Sequence, residues 1–191
     1  EGRVTVVMAD LADVSQAALA SQGIEDASFD QVIANPPYHA EGAGTAAPHA
    51  LKAAAHAMPE MALADWCRFL ARMARPAGEA LIVHKANALP DLLAALSGRF
   101  GGLAALPLHS FAGAPASRIL LRGIKGSRAP FKLDAGIVLH DAEGRFTPGG
   151  EGVLRFGQSL AAAYGLTPRS SSDGQRRGRN PNAKHKSERV D

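Results

Sequence analysis

The chain has 191 residues, 46% of them hydrophobic and 20% charged. That is the composition of a globular domain with a real core, not of a disordered chain. Its single cysteine, Cys67, excludes an internal disulfide and fits a reducing, cytoplasmic compartment, and no uninterrupted apolar run approaches the ~20 residues a membrane helix needs. The net charge of +3 is unevenly placed: from Arg169 on, seven Lys and Arg stand against three Asp and Glu, so this tail carries +4 and the body before it −1. A near-neutral body with a basic tail points to an anionic partner, nucleic acid being the commonest.

Residues 4–8, Val-Thr-Val-Val-Met, are β-rich and apolar throughout, which predicts a strand buried on both faces. The run ends at Ala9-Asp10-Leu11. An Asp just past a strand end is placed to accept hydrogen bonds from a ligand. It also suits a helix N-cap, a role that Asp13 or Ser15 fills as well. Residues 14–21 read as a short Ala-rich helix stopped at Gly23. Ser28-Phe29-Asp30 then leads into a strand over residues 31–34.

That strand runs into Asn35-Pro36-Pro37-Tyr38. Neither proline has an N–H for a ladder, and each pushes the residue before it into an extended shape. The strand therefore stops at Ala34 or Asn35, and a stiff loop follows at its carboxyl end, where open α/β sheets bind ligands. The Asn35 amide offers one acceptor and two donors, and the Pro36 carbonyl adds a second acceptor. Two rigid acceptors suit the two hydrogens of an exocyclic NH2, with the Tyr38 ring to stack on the attached base.

Residues 39–47 are small, polar and Gly-rich, a loop; Pro48 begins a predicted helix to about Met58, broken at Pro59. Trp66, Phe69, Leu70 and Met73 share one helical face, a core stripe, and Cys67 inside that pattern reads as a small buried apolar residue rather than a nucleophile. Pro76-Ala77-Gly78 ends the helix and turns into a buried strand over residues 80–83; residues 90–96 read as a helix closed near Gly98. The rhythm to this point is β-α-β-α-β-α, a parallel sheet with helices on both sides. Residues 102–108 and 118–125 then form two strand-like runs with no helix between them, a hairpin that sets one strand antiparallel. A short strand over 137–139, a turn over 144–150 and one helix over 152–163 complete the body, and from Pro168 the composition is that of a disordered tail.

The (Asn/Asp)-Pro-Pro-(Tyr/Phe) pattern resembles that of S-adenosylmethionine-dependent amino-methyltransferases. Further phrases narrow the likeness: Asp10-Leu11, Arg75-Pro76-Ala77-Gly78, Pro107-Leu108-His109, Pro115-Ala116-Ser117-Arg118-Ile119-Leu120-Leu121-Arg122 with Lys125-Gly126, and Leu139-His140-Asp141 with Gly144-Arg145-Phe146-Thr147-Pro148. Together, over residues 4–163, they resemble the tRNA1(Val) adenine-N6-methyltransferase-like family. The resemblance implies a Rossmann-like class I methyltransferase sheet, α/β and mainly parallel with a carboxyl-terminal antiparallel hairpin. Its strand order would be 3-2-1-4-5-7-6. It divides the chain into a partial methyltransferase domain, 1–167, and a basic tail, 168–191.

By the same resemblance, Asp10 lies near the adenine ring of S-adenosylmethionine, and Leu11 offers it a backbone N–H and apolar packing. Asn35 and the Pro36 carbonyl hold a target adenine N6 amine, Pro37 stiffens the loop, and Tyr38 stacks on the flipped-out base. The methyl passes by direct displacement, with no metal. The sequence begins at what would be the third strand of this fold, so the Gly-rich loop and the ribose-binding acid of the family have no counterpart in it. The resemblance therefore implies that residues 4–8 lose their sheet partners and that these 191 residues alone hold the methyl donor poorly.

His39, His49 and His56 follow the clamp but lack acidic or cysteine partners at metal-ligand spacing. Arg118 and Arg122 alternate with apolar residues, as a solvated strand face or as contacts to phosphate. His140 reads as a strand-end residue. The partner implied is RNA, tRNA first. A protein glutamine amide fits the same clamp, and a non-catalytic RNA-binding remnant is the third alternative.

Overall fold

The computed structural model describes residues 4–11, 13–37 and 63–165. Tyr38, the three histidines after it, the predicted helix over 48–58 and the basic tail lie outside the described residues.

The first described helix, α1 (Gln16–Ala20), is capped by Ser15, whose hydroxyl accepts from the Ala18 N–H at 3.1 Å. Gly23, at φ +74°, turns the chain out of it. Strand β1 (Phe29–Ala34) follows and stops before Asn35 as the two prolines require. Helix α2 (Leu63–Met73) buries Cys67, Leu70 and Met73, with Trp66 and Phe69 packed against the same core. Its Arg72 donates from Nε to Asp26 and from the guanidinium end to the Val14 carbonyl, both at 2.8 Å, which binds the α1 segment onto α2.

Strand β2 (Ala74–Lys85) starts directly after α2, so the helix ends before the Pro76-Ala77-Gly78 expected to stop it. That phrase instead forms an outward bulge in β2: Phe29 pairs with Ala74, but Gln31 already pairs with Glu79. Ala77 takes φ +60° there. At Gly78 a Cβ would sit 2.8 Å from the Arg75 carbonyl oxygen and 3.0 Å from that of Phe29, so only glycine lets the strands approach. Arg75 in the bulge donates to Asp30 at 2.5 Å. Helix α3 (Leu89–Leu96), entered through a single 3-10 turn, then packs on α2 and leads into β3 (Phe100–His109) and β4 (Ala116–Lys125), the expected hairpin. Two short strands, β5 (Lys132–Leu133) and β6 (Ile137–Val138), pair with β3.

The sheet order is β1-β2-β4-β3-β5, with β6 also on β3. The pairings β1–β2, β3–β5 and β3–β6 are parallel, while β2–β4 and β3–β4 are antiparallel, so β4 alone runs against the other described strands. The path β1-β2-β4-β3 has the order 4-5-7-6 expected for the second half of the methyltransferase sheet. Buried residues alternate along β1, β2 and β4, with Val32 and Ala34, Ala80, Ile82 and His84, Ile119 and Leu121, whereas β3 buries Ala104, Ala105 and Leu106 in succession. Except for His84, Ala104 and Leu106, these residues form one core cluster with Leu70, Met73, Leu92 and Leu96 of the helices, on one face of the sheet.

Two further expectations need correcting. Residues 4–8 form no strand; Val4, Val6 and Met8 are 82%, 89% and 101% exposed. An apolar run becomes a strand only where a neighbour takes its N–H and C=O groups, and none of the described strands pairs with this one, in line with the loss of sheet partners that the family resemblance implies. The single helix over 152–163 is two short helices, α4 (Pro148–Leu154) and α5 (Leu160–Tyr164). Thr147 caps the first through Gly150 N–H and Ser159 the second through Ala162 N–H, both at 3.1 Å. No helix among the described residues is long and apolar enough to cross a membrane.

Candidate functional site

The register sets the site. Because β1, β2 and β3 run together and β4 runs back, one edge of the sheet gathers the residues after β1, the end of β2, the end of β3 and the start of β4. Asn35, Pro36 and Pro37 stand there. The alternation of β1 continues into this loop: Ile33 and Asn35 are exposed, whereas Ala34 and Pro36 are buried. Pro36 thus anchors the loop from below, and Asn35 is presented on the face of the sheet away from the helices. A loop with two fixed φ angles loses little further entropy when it grips a ligand.

Asp10 and Leu11 belong to the turn before α1. The Asp10 carbonyl accepts from the Val14 N–H at 2.9 Å and the Asp13 N–H at 3.3 Å, which fixes the turn. Ser15 takes the capping role, so the exposed Asp10 carboxylate does not serve as the helix cap. Leu11 is half-buried beside it. A shallow hollow of about 350 Å³ between residues 6–9 and α1 is lined by Val6, Met8, Val14, Leu19 and neighbours. It carries no titratable wall and none of Asn35, Pro36 or Pro37 borders it, so it is not the site.

On the exposed face of the sheet, Arg122 is taken up by Glu79, whose other oxygen accepts from the Gln31 amide at 3.2 Å. This cross-strand chain ties β1, β2 and β4 together below the Asn35-Pro36-Pro37 loop. Arg122 is therefore a scaffold residue, and Arg118 stands two pleat repeats further toward the sheet edge that holds Asn35. Arg118 lies directly opposite Lys85. Glu79 and Gln31 stand in no motif, and nothing in the sequence alone marks them as the partners of Arg122.

His140 Nδ1 donates to the Ser110 carbonyl at 3.1 Å, which places a proton on that nitrogen. Its ring stacks on Phe146 at 4.9 Å and tilts against Phe111 at 5.7 Å. The Leu139-His140-Asp141 and Gly144-Arg145-Phe146-Thr147-Pro148 phrases thus form a turn closed by the His140–Phe146 bridge and the Thr147 cap. Cys67 is fully buried, and desolvation pushes its thiol up to about 11 although the Arg99 charge opposes this, so it stays protonated at neutral pH and is no nucleophile. Among the described residues no group of three or more His, Cys, Asp or Glu is arranged to hold a metal ion.

No protein-family model matches this sequence, and no curated protein is significantly similar to it. Among solved structures, the fold is similar to the crystal structure of a predicted O-methyltransferase, protein Atu636 from Agrobacterium tumefaciens. The TM-score is 0.58 at 27% sequence identity, over 76% of this chain and 59% of that one. The chain thus spans about three-fifths of the length of that neighbour. The architecture is the Rossmann-like α/β sheet of a methyltransferase structure.

Proposed function

We propose that the chain is part of an S-adenosylmethionine-dependent methyltransferase that modifies an amino group, the N6 amine of adenine in RNA, with tRNA as the first candidate. The observation that carries this reading is the Asn35-Pro36-Pro37 loop at the carboxyl end of β1, with Pro36 buried and Asn35 exposed. Asp10 and Leu11 fit the adenine end of the methyl donor: a carboxylate to accept from an exocyclic amine, and apolar surface for a ring face. Bound S-adenosylmethionine supplies an electrophilic methyl on a sulfonium.

The residues of the chain do the positioning. The Asn35 side-chain oxygen and the Pro36 carbonyl accept the two N–H bonds of the target amine and fix its lone pair toward the methyl. They stabilise the positive charge that builds on nitrogen in the transition state. Both acceptors are satisfied by an NH2 group. A hydroxyl brings one hydrogen and leaves an acceptor unused, which favours an amine over the oxygen acceptor in the neighbour's description.

The test is transfer of labelled methyl from S-adenosylmethionine to bulk tRNA by the full-length protein. The label is expected to be released by nuclease and retained through protease. Release by protease alone would replace RNA with a protein glutamine as the substrate.

A further inference from the structure

We infer that Phe111, in the turn of the β3–β4 hairpin, is a stacking platform for an unpaired base of the RNA, a few nucleotides from the amine held by Asn35. This rests on the RNA reading above and adds to it a second contact that positions the substrate.

Phe111 lies two residues past the end of β3. β3 runs the same way as β1, so Phe111 leaves the sheet at the edge that holds Asn35. β6 runs parallel beside β3 and brings His140 to that edge as well, where its backbone N–H donates to the Ser110 carbonyl at 3.0 Å. The bridge between His140 and Phe146 adds a third ring. Flat groups then follow one another. Arg155 stands over Phe146, 5.6 Å from the ring centroid. Phe146 stacks on His140 at 4.9 Å and 25°, and His140 meets Phe111 at 5.7 Å. The run ends in Phe111, which is 45% exposed.

The last ring is held in place. The Ala114 carbonyl accepts from His109 Nδ1 at 2.8 Å, and the Ala114 N–H donates to the Phe111 carbonyl at 3.3 Å, so the turn that carries the ring is pinned. A platform fixed in advance loses little freedom when a flat ligand lands on it.

The surroundings select the kind of ligand. Arg145 is paired with Asp141 and Glu143, and Arg155 with Glu151. Three acids answer two arginines, so the cluster offers no net positive field to a phosphate. One half-exposed ring also falls far short of the roughly 800 Å² per partner that a stable protein interface buries. An open ring face at the end of a stack offers stacking, which every nucleobase accepts and which single strands use. Three strand spacings of about 4.8 Å separate β1 from β3, so the ring stands roughly 14 Å or more from Asn35. That is about four nucleotides at the ~3.4 Å spacing of a stacked strand.

The test is binding of bulk tRNA to the full-length protein, followed by fluorescence anisotropy across a salt series, for Phe111→Ala and Phe111→Trp. Phe131→Ala is the control, a phenylalanine of equal exposure, 46%, before β5 at the opposite edge of the sheet. Phe111→Ala is expected to weaken binding about tenfold, with the thermal midpoint and the slope of log affinity against log salt unchanged, because no phosphate contact is lost. Phe111→Trp should bind as the wild type does, and tRNA should quench its added indole fluorescence. Phe131→Ala should match the wild type. Unchanged affinity in Phe111→Ala, an equal loss in Phe131→Ala, or a loss that tracks the thermal midpoint overturns the platform while leaving the RNA reading in place. So does a wild-type dimer that Phe111→Ala turns into a monomer of unchanged tRNA affinity, which would give the ring to a second copy of the chain. A wild-type protein that does not bind tRNA overturns the RNA reading and the platform with it.

Discussion

Asn35→Ala is expected to lower methyl transfer by about 10²–10³-fold, the loss typical of removing one preorganised polar group from a transition state. The protein should remain folded. Asn35 is exposed beyond the end of β1, so its truncation opens no cavity, and surface changes of this kind stay within about 0.5 kcal/mol. Asn35→Asp keeps an acceptor at the same place and should retain more activity than the alanine variant. Single-turnover methyl transfer, paired with thermal melts monitored by circular dichroism, separates the two effects. Loss of activity that follows loss of fold would make the loop scaffold; full activity in the alanine variant would remove it from the chemistry.

Leu121→Ala should have the largest effect on stability. Leu121 sits on β4, between β2 and β3, and is fully buried opposite Ile82 and Ala105, themselves fully buried. Truncating a leucine in such a setting costs about 3–5 kcal/mol through lost transfer energy and the cavity left behind. That is a large share of the 5–15 kcal/mol, roughly, by which a domain is stable. Leu120, its neighbour in sequence, is half-buried on the opposite face, and Leu120→Ala should cost only about 1 kcal/mol. Denaturant melts of the two variants read out which face of the sheet the helices cover. Equal costs would contradict the placement of the main core cluster on the Leu121 face.

Where the sequence was legible, the reason is local chemistry. The two prolines stop β1 at Ala34 because they cannot do otherwise, the apolar stripe of α2 faces the core, and the helix-free stretch after α3 is a hairpin. Where it was not, the missing information is non-local. Residues 4–8 have every compositional mark of a strand, yet a strand is a relation between two segments, and one segment's composition does not record its partner. The Pro76-Ala77-Gly78 phrase reads as a helix stop, but its use depends on the register of β1 against β2, which turns it into a bulge. The break between α4 and α5 was within reach: Thr147-Pro148 is a cap followed by a first-turn proline, and Ser159 is a second cap. At the site, Asn35, Pro36 and Pro37 stand together because they are contiguous in the chain. Arg122 could not be matched to Glu79 in advance, because only the β2–β4 register brings them together.

The central claim is that the clamp holds an adenine amine. The most direct test is to digest tRNA methylated by the full-length protein to nucleosides and identify the labelled product by mass spectrometry. The account predicts N6-methyladenosine, and its loss with Asn35→Ala. A methyl group found on a ribose oxygen, or on any atom other than a base amine, would contradict it.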